Sequence, residues 1–154
     1  MSREWETDSP MTGLPTAARV EDARPKGGRR TILIVDDEAD MVESCARICR
    51  RGGFTCVTAV ESRDALALFE RMRPDLLCTD LRMPGFDGLE LVRQVKLIDS
   101  SVPVLVLTGY VSEASAREAL QAGASAYLAK PFTVRQFCET VNRALGLECD
   151  RSPF

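Results

Sequence analysis

From Thr31 onward the chain alternates short, unbroken apolar runs with longer stretches in which apolar residues recur every three or four positions. Ile32-Leu33-Ile34-Val35 is closed by acids and has the pattern of a strand buried on both faces of a parallel sheet. Met41, Val42, Cys45, Ile48 and Cys49 fall at helical spacing, and Gly52-Gly53 ends that helix. Phe54 to Thr58 is a second strand. Ser62 stands as the N-cap of a helix carried by Ala65, Leu66, Phe69 and Met72, with Pro74 beyond its end. Leu76 to Thr79 is a third strand, ending at Asp80; after a Pro- and Gly-rich turn, Leu89, Val92, Val95 and Lys96 carry a helix to about Ile98. Val102 to Leu107 is the most apolar strand and ends at Thr108. Ser112 caps a helix through Ala119 and Leu120 that Gly123 stops, and Ala126 to Ala129 is a fifth strand ending at Lys130. Thr133 and Gln136 have capping-box spacing, ahead of an apolar stripe of Val134, Phe137, Cys138, Val141, Ala144 and Leu145.

Five strands alternating with five helices predict an α/β fold: a parallel sheet covered on both faces and built from right-handed crossovers. The first 30 residues lack that texture. They hold Pro10, Pro15, Pro25, Gly13 and Gly27-Gly28 among mixed charges, which reads as a flexible extension over 1–30. The folded domain is expected over 31–146, with a short tail at 147–154. Gly27-Gly28-Arg29-Arg30 reads as a solvated linker, and Trp5 is the one residue of the extension suited to anchoring a partner.

Composition narrows the chemistry. A chain of 154 residues with 45% apolar and 28% charged residues suits one water-soluble domain with a modest tail. Twenty basic against 23 acidic residues, a net charge of -3, argues against direct DNA binding. The absence of histidine removes His-centred catalysis, His-ligated zinc and any role as a histidine phosphodonor. Cys45, Cys49, Cys56, Cys78, Cys138 and Cys149 form no C-x-x-C pair, and most sit inside apolar runs. Reduced thiols in the cytoplasm are the favoured state, with a redox sensor the lesser reading. There is no secretory h-region and no apolar run of membrane-spanning length.

In such a sheet, ligands bind at the carboxyl ends of the strands. Here those ends deliver Asp36-Asp37, Asp80, Thr108 and Lys130 to one rim. Crowded carboxylates raise one another's pKa unless a cation offsets them, and hard oxygen ligands suit Mg²⁺. A carboxylate in line with a phosphoryl donor can act as a nucleophile and form an aspartyl phosphate. Mg²⁺ and Lys130 would supply the charge neutralisation that phosphoryl transfer needs, and the Thr108 hydroxyl can donate to a phosphoryl oxygen.

Taken in order, Asp36-Asp37-Glu38, Asp80-Leu81-Arg82-Met83-Pro84-Gly85-Phe86-Asp87-Gly88, Thr108-Gly109 and Lys130-Pro131-Phe132 resemble the receiver domain of bacterial two-component response regulators. The resemblance covers roughly residues 30–146. It implies a flavodoxin-like sheet of strand order 2-1-3-4-5. It implies Asp80 as phosphoacceptor, and Asp36, Asp37, Asp80 and the backbone carbonyl of Arg82 as Mg²⁺ ligands. Lys130 would contact the phosphoryl group from a cis Lys130-Pro131 peptide, and Thr108 and Tyr127 would be the switch pair. Arg82 and Tyr110 stand where the family tunes phosphoryl lifetime. The implied partners are a sensor histidine kinase or histidine phosphotransfer protein and a downstream protein target, in the manner of a stand-alone chemotaxis regulator. The eight residues after Gly146 are too few to form a helix-turn-helix domain, which is why a stand-alone regulator is the expectation.

Plainer uses compete for the same residues. Asp36 and Asp37 suit a helix N-terminus, Lys130 and Thr108 an ordinary surface or strand end, and Tyr127 a static core. None of these alone explains why the acids and the lysine share neighbouring strand ends. Two other functions stay open: a non-phosphorylated receiver-like scaffold, and an aspartyl-phosphate phosphatase of the haloacid-dehalogenase kind. The second places its nucleophile on the first strand with an acid two positions later, where this chain has Asp36 and Glu38. A nucleotide-binding fold is disfavoured, since no Gly-rich loop follows the first strand.

Overall fold

The structure is a computed structural model that describes residues 19–20, 29–81, 87–109 and 112–147. Its elements in chain order are β1 (Arg19–Val20), β2 (Thr31–Val35), α1 (Ala39–Arg51), β3 (Thr55–Ala59), α2 (Ser62–Met72), β4 (Leu76–Thr79), α3 (Gly88–Ile98), β5 (Val104–Thr108), α4 (Glu113–Ala122), β6 (Ala126–Ala129) and α5 (Val134–Ala144). They form one six-stranded sheet ordered β1-β3-β2-β4-β5-β6. The strands β2 to β6 are parallel and have the expected 2-1-3-4-5 order. The apolar pattern does not announce β1, which pairs antiparallel with β3 through Arg19 opposite Thr58 and Val20 opposite Val57.

Alternation along the parallel strands sorts the core into two layers. Leu33, Val35, Val57, Leu77, Val104 and Val106 face the layer completed by Phe69, Leu91, Val95 and Ala119 of α2, α3 and α4. Ile32, Ile34, Cys56, Leu76, Cys78, Leu105 and Leu107 face Cys45 and Cys49 of α1 and Phe137 and Val141 of α5. Side chains on both faces of β2, β4 and β5 are buried, which is why these strands read as continuous apolar runs. The five described cysteines are buried and unpaired. Burial, then the charge of Asp36, pushes the Cys45 thiol up to about 12.

Helix ends follow their side chains at most positions. Ser112 accepts from Ser115 N–H at 3.0 Å, Thr133 and Gln136 close the capping box at 3.0 and 2.8 Å, and Gly123 ends α4 at φ 119°. Ser62 differs from its expected role. The first helical bond of α2 runs from Ala65 N–H to the Glu61 carbonyl, so Glu61 is the cap residue and Ser62 lies inside the first turn. Its buried Oγ has no hydrogen-bond partner. The fourth parallel strand starts two residues late because Pro103 has no N–H to give; its carbonyl accepts from Leu77 at 3.1 Å. No described helix is long and apolar enough to cross a membrane.

Candidate functional site

Three adjacent parallel strands end in the residues that build the rim. Asp36 follows β2, Asp80 follows β4, and Thr108 closes β5; Lys130 arrives from β6 at the sheet edge. The backbone fixes each one. Asp36 N–H donates to the Ala59 carbonyl at 3.2 Å, Asp80 N–H to Val35 at 3.2 Å, and Lys130 N–H to Thr108 at 2.8 Å. The ladder therefore runs one residue past the strand ends and sets the rim in register.

The side chains then converge. Lys130 Nζ donates to Asp36 Oδ2 at 2.7 Å and lies 3.4 Å from Asp80 Oδ2. The other oxygen of each acid is taken by backbone: Asp36 Oδ1 accepts from Glu38 N–H at 3.0 Å, and Asp80 Oδ1 from Leu81 N–H at 2.7 Å. Thr79 Oγ1 donates to the Asp80 carbonyl at 2.9 Å. Asp36 is 1% exposed, while Asp37 stands in solvent. Thr108 is buried, and the Lys130-Pro131 peptide is cis.

One ammonium contacts two of the three carboxylates, Asp36 and Asp80. Burial pulls the Lys130 pKa down, but the hydrogen bond and charge of Asp36, joined by Asp80, outweigh it and hold the ammonium above its ordinary value. Partial burial, the hydrogen bond to Asp36 and the charges of Asp36 and Asp80 raise the Asp37 carboxyl. Asp36, Asp37 and Asp80 each offer a carboxylate oxygen within 4.8 Å of the others, a donor set that fits a small divalent cation.

Asp36, Asp37, Asp80 and Lys130 thus meet in one cluster, with Thr108 at its β5 edge. Tyr127 lies lower on β6, opposite Val106, and its hydroxyl is 3.0 Å from Ser115 Oγ in the first turn of α4. Arg82 and Tyr110 lie outside the described residues. Sequence reasoning missed Ser115 and the Leu81 amide, the first because nothing in a serine's spacing announces its partner, the second because a backbone donor leaves no residue signature. Gly88 was visible only as a loop residue. A Cβ there would come 2.0 Å from the Asp80 carbonyl oxygen, so its missing side chain is what lets α3 start against the loop that follows Asp80.

The sequence matches the response regulator receiver domain family over residues 32–142. It is 37% identical over 114 residues to the transcriptional regulatory protein PrrA of Mycobacterium tuberculosis, covering 74% of this chain and 49% of that protein. It is 35% identical over 118 residues to the DNA-binding transcriptional regulator NtrC of Salmonella typhimurium, covering 77% of this chain and 25% of that protein. The chain spans half or less of the length of these curated relatives. Solved structures share the fold. A CheY-like receiver domain protein from Methanospirillum hungatei superposes with a TM-score of 0.75 at 28% identity, covering 77% of this chain and 95% of that one. Chemotaxis protein CheY4 of Vibrio cholerae gives 0.74 at 29% identity, covering 77% and 100%. With its parallel sheet, its acids and lysine on one rim and a match running through most of its length, the chain belongs to the response regulator receiver domain family.

Proposed function

We propose that Asp80 is the phosphoacceptor of a two-component phosphorelay, loaded from the phosphohistidine of a sensor kinase or phosphotransfer protein. The observation that carries this reading is Lys130 Nζ, set between Asp36 at 2.7 Å and Asp80 at 3.4 Å. Leu81 N–H holds Asp80 Oδ1, which leaves Oδ2, beside the ammonium, as the attacking oxygen. A P–O bond forms there as the P–N bond of the donor breaks, and the released imidazole keeps the electron pair and takes a proton from solvent. Lys130 then faces a phosphoryl oxygen in place of a bare carboxylate. Thr108 reaches the same group from the end of β5.

The three carboxylates suit Mg²⁺, with Asp36, Asp37 and Asp80 as its protein ligands and the Arg82 carbonyl as a further one. When bound, the ion neutralises charge on the carboxylates and on the transferring phosphoryl oxygens. Output follows from Thr108 and Tyr127. Both side chains leave the sheet on the α4 side, and all four residues of β6 are half-exposed at the sheet edge. A shift of Thr108 toward a phosphoryl group would be felt by α4 and β6, where a protein target reads it.

Incubation with Mg²⁺ and acetyl phosphate, followed by intact-mass measurement, tests the reading. One added phosphoryl group is expected, lost without Mg²⁺ and lost in Asp80→Asn. No adduct under conditions that load a control receiver would favour the non-phosphorylated scaffold. An adduct that persists in Asp80→Asn would move the acceptor elsewhere.

A further inference from the structure

At the other end of the sheet from the acidic rim, the residues that precede β2, β4, β5 and β6 frame a cleft of about 550 Å³. That volume lies within the usual range of small-molecule sites. The lining is polar and carries three guanidiniums from separate parts of the chain: Arg30 before β2, Arg73 after α2 and Arg143 in the last turn of α5. None of the three lies within ion-pair distance of a carboxylate among the described residues. The cleft also holds two acids, each with one oxygen engaged by its neighbours, and the Arg73 charge acts on Asp99, whose carboxyl is held below its ordinary value first by its hydrogen bonds to Ser101. Asp75 Oδ2 accepts from Thr31 N–H at 2.8 Å, and Asp99 Oδ1 accepts from Ser101 N–H at 3.0 Å and Ser101 Oγ at 2.7 Å. All three arginines are exposed where they line the cleft.

Arg73 adds a second line of argument. It is the one non-glycine residue with positive φ among those described, at φ 48° and ψ 65°. Glycine takes this left-handed conformation without steric cost, whereas an arginine strains against its own carbonyl. Arg73 is the C-cap of α2, its N–H donating to the Phe69 carbonyl at 2.9 Å, so the left-handed stop that glycine usually fills is here filled by an arginine that lines the cleft. Arg143 also complements the carbonyl end of α5; Arg30 belongs to no helix.

We propose that this cleft is a binding site for a small ligand carrying two or more linked phosphoryl groups, gripped by Arg30, Arg73 and Arg143. Guanidiniums pair with phosphoryl oxygens through two parallel hydrogen bonds, and three from different directions match a polyphosphate better than a single anion. The site is separate from the phosphoacceptor: the five residue steps from Asp75 to Asp80 along β4 put them roughly 16 Å apart. Occupancy would bear on β4 at one end while Asp80 is modified at the other.

Titration of the isotopically labelled full chain with inorganic pyrophosphate, ADP and orthophosphate, without Mg²⁺, tests the proposal by amide and arginine side-chain NMR. Saturable shifts are expected at Arg73, Arg143 and Ser101, with orthophosphate at least tenfold weaker than either diphosphate. ADP binding more tightly than pyrophosphate would identify a nucleotide as the source of the polyphosphate, and equal affinities would identify the inorganic ion. Arg73→Gly, which removes the guanidinium and the strain together, should lose tenfold or more in affinity while melting at or above the parent temperature; Arg143→Gln should lose affinity likewise. Absence of saturable shifts at millimolar pyrophosphate, shifts centred on Asp36 and Lys130, or unchanged affinity in both variants would overturn it.

Discussion

Replacing Gly88 with alanine should slow the proposed loading of Asp80 by displacing the backbone that carries it, with its carboxylate, Lys130 and Thr108 all retained. The new Cβ would sit 2.0 Å from the Asp80 carbonyl oxygen and 2.7 Å from the Leu81 Cα and carbonyl oxygen. A carbon–oxygen contact settles near about 3.3 Å, so the acceptor loop has to retreat by about 1.3 Å. Two hydrogen bonds stand in the way of that retreat: Gly88 N–H to the Leu81 carbonyl at 2.8 Å and Leu81 N–H to Asp80 Oδ1 at 2.7 Å. Overpacking of this kind costs about 1–3 kcal/mol, and the better helix propensity of alanine returns less than about 1 kcal/mol. The melting temperature should fall by about 3–10 °C. Loading should suffer more, because a misplacement of about 1 Å at a reacting group costs on the order of 100-fold in rate. Intact-mass time courses with acetyl phosphate measure the rate, and differential scanning calorimetry the stability. A Gly88→Ala protein that melts and loads like the parent would refute the claim that close approach of α3 aligns Asp80.

Two further outcomes follow from the same cluster. Lys130→Met leaves the buried Asp36 without its cation, a loss of about 3–5 kcal/mol, and Mg²⁺ should restore a larger share of the melting temperature in this variant than in the parent; equal Mg²⁺ responses would show that the lysine and the ion do not serve the same carboxylates. Asp37, an acid with its pKa raised on folding, binds protons more tightly in the folded chain, so its contribution to stability grows as pH falls through the carboxylate range and is lost as pH rises. In metal-free buffer Asp37→Asn should therefore melt above the parent at neutral pH, with the gap closing on acidification; a gap constant with pH would contradict the crowding of the three acids.

Most of the site was readable because a parallel sheet sends every strand's last residue to the same side. With Ile32–Val35, Leu76–Thr79 and Val102–Leu107 as parallel buried strands, Asp36, Asp80 and Thr108 share one rim; that they are neighbours on it follows from the strand order that the receiver resemblance implies. The details that escaped are those in which backbone geometry outranks side-chain preference. Ser62 has the chemistry of a cap, but the turn out of β3 starts the helical bonds at Glu61 and carries the serine past that position. Two residues cannot display a period, so β1 left no trace in the pattern; it exists because the outer edge of β3 offers unpaired backbone groups. The partner of Tyr127 was equally silent, since the Ser115 hydroxyl meets it only when α4 folds back along β6.

The direction of β1 decides how this domain is approached. Because Arg19 and Val20 run against β3, the polypeptide enters the sheet from the pole that carries Asp36 and Asp80, whereas α5 runs toward the opposite pole. Chain entering at Arg19 is therefore tethered on the side of Asp36 and Asp80, the side from which the proposed phosphodonor would approach, and chain leaving α5 is tethered at the far end. If Asp80 is loaded as proposed, a bulky handle fused directly ahead of Arg19 should slow that loading, and the same handle placed after α5 should leave the rate unchanged.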